Sequence, residues 1–488
     1  MKSIENMLAK RLFSLNFYKN LKLPLGEMSF SKDFVNETRG DIYPIVEKSA
    51  DFCEKISSCR YFGEGEKLVR ILGRHLPYCT YEMTFSSLCG KGGFSFLLPD
   101  SKASALMGNK NGKVFFEFSE NGNVQNVETD LDFVSGAGLV VTTRKNNFDI
   151  YYKKDGFPNY VCTFCSESFK NIAYQKVFEK CSSAVILSGK CELADVSFYI
   201  DCGISQADIR PVRYENGEIL IENAKVFLTA SIRMQAECFQ GIFSWVPGTS
   251  LFELCGALFY DAGDGMWGND VAASLMFDRY AQEWKLWVCS FCHDHILAYA
   301  RFDGDIRFGV NVLDITLMEK MKKGDCDELF LSKIDDEDPD FIFDEKSGKW
   351  YLSVCRAIGD GDSRSYRYFF FESETDAFSG YKFIGRTDCG GAETGGSILN
   401  LGGKFKFVCG SSFDVRAEYR IYDLFDGTKF TKMTFDHDDG GFRGWGSIIP
   451  IKYGSRTRYF HLTFDRAGGS DYTWSYGNVY CFELVDKE

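Results

Sequence analysis

Between residue 201 and the C-terminus the sequence repeats one pattern five times, and few folds accept such a repeat. Each copy opens on a short stretch that carries a polar or acidic residue, continues as an apolar run, turns, and returns as a second apolar run. The copies begin at ADIRP (207–211), WGNDV (267–271), EDPD (337–340), AETGGSI (392–398) and WGSII (445–449). Their spacing is roughly 52–68 residues, room for a four-stranded unit. The third copy is the clearest: DFIFD (340–344) alternates with period two, EKSG (345–348) is turn chemistry, and KWYL (349–352) is the returning strand. Five such units, with no long helix and no parallel sheet between them, predict a five-bladed β-propeller over residues 201–488.

Residues 28–200 have a different texture. Runs of four to eight alternating residues, such as GGFSFLLPD, GKVFFEFSENGNV and SSAVILSGKCELADVSFYID, are separated by Gly, Asn, Asp and Lys turns. Hairpin signals stand at Asn121–Gly122 and Asp155–Gly156. With 46 Phe, 25 Tyr, 7 Trp and 47 Gly against 9 Pro, the whole chain reads as aromatic strands joined by glycine turns. The order YEMTF, KVFFEF, FDIYYKKDG and DVSFYID resembles the concanavalin-like jelly roll of laminin-G-type and carbohydrate-binding modules. The expected fold is therefore all-β: an N-terminal β-sandwich (jelly roll) at 28–200, then the propeller. Residues 1–27 are expected to be a helical segment. Ser3 serves as N-cap, and Ile4, Leu8, Leu12 and Leu15 recur at helical spacing.

A net charge of -13 argues against a nucleic-acid backbone as partner, and none is expected. No stretch approaches the roughly 18 apolar residues of a membrane span, so no membrane is expected. The N-terminal run is broken by Lys and Arg and lacks a cleavage site, so a cytoplasmic location is expected. There the 18 cysteines are reduced thiols acting as small hydrophobes. In Cys162/Cys165 and Cys289/Cys292 the pair members fall on opposite faces of a strand, which suits no shared metal. The sequence leaves the oligomeric state open.

In a propeller the starts of the inner strands converge at one mouth of the channel. Asp208, Asp270, Asp338 and Glu393 stand at four of the five starts. Converging carboxyls repel and desolvate one another, which splits their pKa values. Glycosidic cleavage needs such a split pair, one protonated as acid and one ionised as base or nucleophile.

At this point the sequence resembles the five-bladed propeller glycoside hydrolases, such as families 43, 62, 117 and 32, with family 130 a looser relative. These carry an acid on blade one, an Asp before Pro on blade three and a Glu on blade four. The matches here are Asp208 in ADIRP, Asp338 in EDPD and Glu393 in AETGGS. The resemblance implies Asp208 as general base, or nucleophile in retaining members, Asp338 as pKa modulator and substrate anchor, and Glu393 as general acid. Blade one has Asp-Ile-Arg-Pro where many relatives have Asp-Pro, and blade four has Glu-Thr-Gly-Gly rather than Glu-Gly-Pro. Some relatives keep a histidine near a central calcium. Here Arg443–Gly444–Trp445–Gly446 stands in its place, and no cofactor or metal is expected.

Further residues are candidates for holding a sugar. Trp267 and Trp445 precede inner strands, where an indole could stack on a pyranose or furanose face. Asp270 could bond a hydroxyl. His293 and His295, if on a strand, share one face. Arg416 stands with Arg356, Arg364, Arg367 and Arg420 on blades three and four; two or three of them beside Glu393 would suit phosphate or a carboxylated sugar. The sequence thus points to an oligosaccharide or glycoside as partner and to a glycosidase acting on a small oligosaccharide or a furanoside or pentoside linkage. A phosphorylase on the same scaffold and a non-catalytic carbohydrate-binding protein are the alternatives.

Overall fold

The structure is a computed structural model. It describes residues 4–25, 40–44, 59–235, 237–318, 334–358, 365–388, 392–411, 418–436, 442–465 and 477–487; of residues 40–44, 59–74, 334, 358, 411, 442–445 and 465 it describes the backbone alone. Among these residues α-helix is confined to the single turn Gln175–Phe178, and strands make up nearly everything else. The chain divides into two compact units. One comprises Lys22–Asp201 with Gly265–Trp267; the other comprises Met1–Leu21, Cys202–Asp264 and Gly268–Glu488.

The larger unit is a five-bladed β-propeller, each blade a sheet of four to six strands among the described residues. Its inner strands are Ser205–Pro211, Val271–Asp278, Ile334–Asp344, Glu393–Asn400 and Phe442–Tyr453. They neighbour one another in a ring, with blade five closing against blade one. Aromatic content is explained by the layers between blades. On strand Ser365–Ser373, Tyr368 and Phe370 enter the layer shared with blade four, while Phe369 and Phe371 enter the layer shared with blade two. Successive side chains of a strand point to opposite faces, so a blade buried on both sides reads as a continuous aromatic run. Trp350 and Leu352 lie in one of these layers and Tyr351 in the other.

The N-terminal segment is not the expected helix. Met7–Leu15 is a strand that pairs antiparallel with Val479–Asp486, so the first residues of the chain complete the last blade. Ala9 is fully buried while Leu12 of the supposed apolar stripe is exposed. The open edge of Val479–Asp486 offers a row of backbone donors and acceptors, and pairing with it outweighs a weak helical periodicity.

The smaller unit packs layers of sheet face to face. Strand Tyr78–Leu98 pairs through one half with Gly138–Arg144 and through the other with Ser101–Lys110. Between the layers Phe118 stacks on Phe164 and tilts against Phe148, with ring centroids 4.9 and 5.3 Å apart. The jelly-roll likeness remains one of strand pattern.

One end of the propeller channel is plugged. Past blade one's inner strand the chain crosses the channel, and Arg213–Tyr214 pairs in parallel with the inner strand of blade two. Glu215 O then accepts from Phe343 N of blade three at 2.7 Å. The buried Arg213 guanidinium bonds Asp340 Oδ1 at 2.5 Å, the Ile398 carbonyl at 2.8 Å and the Phe341 carbonyl at 3.0 Å. Gly217 follows with φ +86°, and a Cβ there would stand 2.5 Å from Ile342 Cδ1. The expected acids lie toward the other end.

Candidate active site

Four of the five inner strands carry the same irregularity near their start. Between Ala207 and Arg210, Val271 and Ser274, Glu337 and Asp340, and Thr394 and Ser397, each has one residue more than the strand it pairs with. This is a β-bulge. In each case the first of the two residues inside that interval is left-handed: Asp208 at φ 52°, Ala272 at 59°, Asp338 at 47° and Gly395 at 62°. Glycine adopts that region freely and aspartate tolerates it, whereas alanine is strained there. The bulge therefore fixes the true alignment of the blades. Asp208, Ala272, Asp338 and Gly395 are equivalent. Asp270 and Glu393 are not: they stand two residues upstream, level with Gln206 and Asp336. The four acids expected at matching positions occupy two different rows.

The bulge row brings two aspartates of blades one and three within electrostatic reach. Asp208 Oδ2 accepts from Ser231 Oγ at 2.6 Å and from Arg233 Nη2 at 3.0 Å. The same Ser231 hydroxyl accepts the Ala272 N–H at 3.3 Å, which ties this aspartate to the bulge of blade two. Asp338, 9% exposed, takes one hydrogen bond among the described residues, from Gly395 N to Oδ2 at 3.0 Å, so its anchor is the bulge of blade four. Burial pushes Asp338 up to about 7, Asp208 and then Glu337 adding to the shift and Arg210 opposing it. Arg210 is buried; its Nη1 bonds the Pro339 carbonyl, and its Nη2 has no partner among the described residues.

Glu393 lies close by but is differently held. It is 1% exposed. Its Oε1 accepts from Arg420 Nη1 at 2.8 Å and from the Tyr422 hydroxyl, and its Oε2 accepts from Thr387 Oγ1. Burial, with Cys409 and Glu393 adding, pushes the Tyr422 phenol upward, so it remains a donor. The buried Cys355 thiol is pushed up by burial first and then by Asp338, Glu337 and Glu393, which places all three acids around it.

The remaining expected residues separate. Asp270 is fully buried and accepts from Ser290 Oγ at 2.9 Å and Cys292 N at 3.0 Å; burial raises its pKa despite these bonds. The histidines do not share a strand face. Phe291–His293 is a 3-10 turn, and Asp294 and His295 are both left-handed, which breaks the period of two. His293 Nδ1 meets Ser290 Oγ at 2.8 Å, while His295 Nδ1 meets Glu337 Oε1 at 3.3 Å. Trp267 counts with the smaller unit, where its ring packs edge-on against Phe178 at 4.7 Å. It opens no blade. Trp445 belongs to the inner strand of blade five, but its side chain lies outside the described residues, as does Arg416. Of the other arginines, Arg356 is bidentate to Asp336 at 2.7 and 3.1 Å, and Arg420 is shared between Glu393 and Glu418.

Arg210, Arg233, Thr387 and Tyr422 have no sequence signature of their own. Arg210 stands inside the ADIRP string and could have been weighed as a cation beside its acid. Arg233 and Tyr422 reach the site across strands, from 25 and 29 residues away, and Thr387 reaches Glu393 from six residues upstream. Among the described residues no group of three or more His, Cys, Asp and Glu side chains is placed to hold a metal ion. Guanidinium groups bridge the inner strands, and both oxygens of Asp340 are taken, by Arg213, Ser274 Oγ, Ser397 Oγ and Ile398 N.

Neither a protein-family model nor a characterised protein matches the sequence. Solved structures with similar strand arrangement include an exo-β-1,3-galactanase from Clostridium thermocellum, 11% identical, covering 57% of this chain and 63% of its own, with TM-score 0.40. The chain thus spans just under two thirds of that galactanase. The catalytic domain of a family 62 α-L-arabinofuranosidase from Coprinopsis cinerea is 10% identical, covers 58% of this chain and 92% of its own, and has TM-score 0.38. A family 66 carbohydrate-binding module from Bacillus subtilis is 16% identical, covers 35% of this chain and 96% of its own, and has TM-score 0.26. At such identities and scores none of these likenesses bears on substrate or on the role of any residue.

Proposed function

We propose that the propeller unit is a glycoside hydrolase, acting on a small oligosaccharide or a furanoside or pentoside linkage. One contrast carries this reading. Two aspartates sit on equivalent bulges within reach of each other; one is met by a cation and a hydroxyl, and the other is buried, with a single donor among the described residues, and holds its proton to about pH 7. That is the division of labour glycosidic cleavage requires. Asp208 is assigned as general base, or as nucleophile if the pair stands close. Asp338 is assigned as the carboxyl that delivers the proton to the leaving oxygen. Family resemblance gives that task to Glu393, but donors on both of its oxygens favour a fixed acceptor that orients Arg420 and Tyr422.

The test is a panel of nitrophenyl glycosides and short oligosaccharides read by product chromatography. On a natural leaving group Asp338→Asn should lower kcat/KM by roughly 10²–10⁴-fold. On a dinitrophenyl glycoside, whose departure needs no proton, most of that loss should vanish. The same rescue in Glu393→Gln, and not in Asp338→Asn, would return the acid role to Glu393. Turnover that stops when inorganic phosphate is omitted, or sugar binding without any product, would contradict hydrolysis itself.

A further inference from the structure

The plugged end of the propeller contains a cavity of about 480 Å³. Its walls come from the plug, through Tyr214 and Ile219, from the turn of blade four at Asn400 and Leu401, and from the hairpin of blade five at Thr457 and Tyr459. The volume falls within the roughly 300–1,000 Å³ of small-ligand clefts. Its origin is uneven tethering of the plug. Arg279 of blade two holds Glu215 at 2.7 Å, Phe343 N of blade three holds Glu215 O at 2.7 Å, and Asn400 Nδ2 of blade four holds Asn216 O at 2.8 Å. Toward blade five the hydrogen bond described is one exposed link, Lys452 Nζ to Glu218 at 3.1 Å, and the space lies along that seam.

The chemistry of the walls selects the ligand. The cations at the rim are already engaged: Glu218 stands between Lys452 and Arg279, and Glu345 accepts from Asn216 and from the Tyr280 hydroxyl at 3.0 Å. An anionic ligand would have to displace an ion pair, with its desolvation cost. A neutral one would not. Tyr214 and Tyr459 supply aromatic surface in the wall. At Gly402 a Cβ would meet nothing within 4 Å, so a ligand can approach the backbone there. Aromatic faces beside amide, hydroxyl and open backbone groups fit a molecule with apolar C–H faces and many hydroxyls.

We infer that this cavity binds one neutral sugar residue, as a non-catalytic carbohydrate site at the opposite end of the propeller from Asp338. The rise of an extended strand between Asp338 and Asp344 sets the two sites about 20 Å apart. The plug prevents a glycan from threading the channel between them. This inference does not depend on hydrolysis.

Saturation-transfer NMR on the full-length chain tests it, with galactose, xylose, arabinose and glucose as neutral probes and glucuronate as the charged one. Thr457→Trp and, from the blade-four wall, Leu401→Trp fill the cavity; thermal melting selects whichever keeps the fold. A neutral probe should bind the Asp338→Asn protein, and adding the filling substitution should weaken that binding at least about tenfold. The filling substitution alone should leave chromogenic glycoside turnover unchanged. Absence of binding by every neutral probe, equal binding with the cavity filled, or preference for glucuronate would each overturn the inference. A protein that binds here but hydrolyses nothing would contradict the hydrolase proposal while leaving this site intact.

Discussion

Asp338 and Asp340 flank one proline on the inner strand of blade three, and their surroundings are opposite. Asp340 is saturated: Arg213 and Ser274 Oγ donate to Oδ1, Ser397 Oγ and Ile398 N to Oδ2. Among the described residues Asp338 receives a single backbone N–H, and it faces a second aspartate. Both are nearly buried. A buried carboxylate with all its acceptor sites filled is a tie between blades. A buried carboxyl with few donors and a like charge nearby is a group poised to keep and release a proton. The left-handed bulge separates the two: it begins at Asp338, and the regular ladder resumes at Asp340.

The contrast breaks most visibly if the two residues are exchanged in importance. Asp340→Ala leaves Arg213 buried beside no carboxylate, so it should cost about 3–5 kcal/mol of unfolding free energy, measured by urea denaturation. A loss under about 1 kcal/mol would mean that Asp340 is not the tie described.

Asp338→Asn should do the reverse and stabilise the fold at alkaline pH. The native carboxyl holds its proton to about pH 7, whereas an unfolded aspartate releases it near pH 4. Between those values the native state binds more protons than the unfolded one. Stability contributed by the group is therefore whole below about pH 4 and falls as the pH rises to about 7. The asparagine variant should thus be more stable than the parent by about 2–4 kcal/mol at pH 8 and no more stable at pH 4. Equal stability of the two proteins at pH 8 would contradict the assignment.

Two smaller effects sharpen the role of the bulge and its cation. Arg210 opposes the upward shift of Asp338. Arg210→Met should move the alkaline limb of the pH–rate profile, where the proposed acid Asp338 loses its proton, upward, while a lysine there should keep it near its parent position. Ala272 strains the bulge that glycine fits in blade four. Ala272→Gly should therefore add about 0.5–1 kcal/mol and Gly395→Ala should cost at least as much, both read from denaturant midpoints.

The propeller is legible in the sequence because a blade repeats its turns and alternation; Asp338–Pro339 reads as a strand start, whereas the strand begins at Ile334 and the proline, which lacks an N–H, sits in the bulge. The bulge is not legible. It is occupied by Asp, Ala, Asp and Gly, which share a tolerated or tolerable φ and nothing a pattern of residue types can show. Asp270 reads as the blade-two counterpart of Asp338 because it is the nearest acid to a blade start; the bulge puts Ala272 there instead. Trp267 reads as a blade opening because it precedes that strand, but it counts with the smaller unit. Met7–Leu15 reads as helix because the strand it completes is more than 460 residues away in sequence, and local periodicity carries no information about such a partner. His293 and His295 diverge because two consecutive left-handed residues follow a tight turn.

The coupling of Asp208 with Asp338 is central to the proposed chemistry, and direct titration of one carboxyl tests it. Difference infrared spectra of the resting protein against Asp338→Asn, collected across the pH range, isolate the Asp338 carboxyl stretch. The midpoint should lie at about 7 and should fall when Asp208 is replaced by asparagine, since that removes a like charge. A midpoint near the ordinary aspartate value of about 4, unmoved by the loss of Asp208, would contradict it.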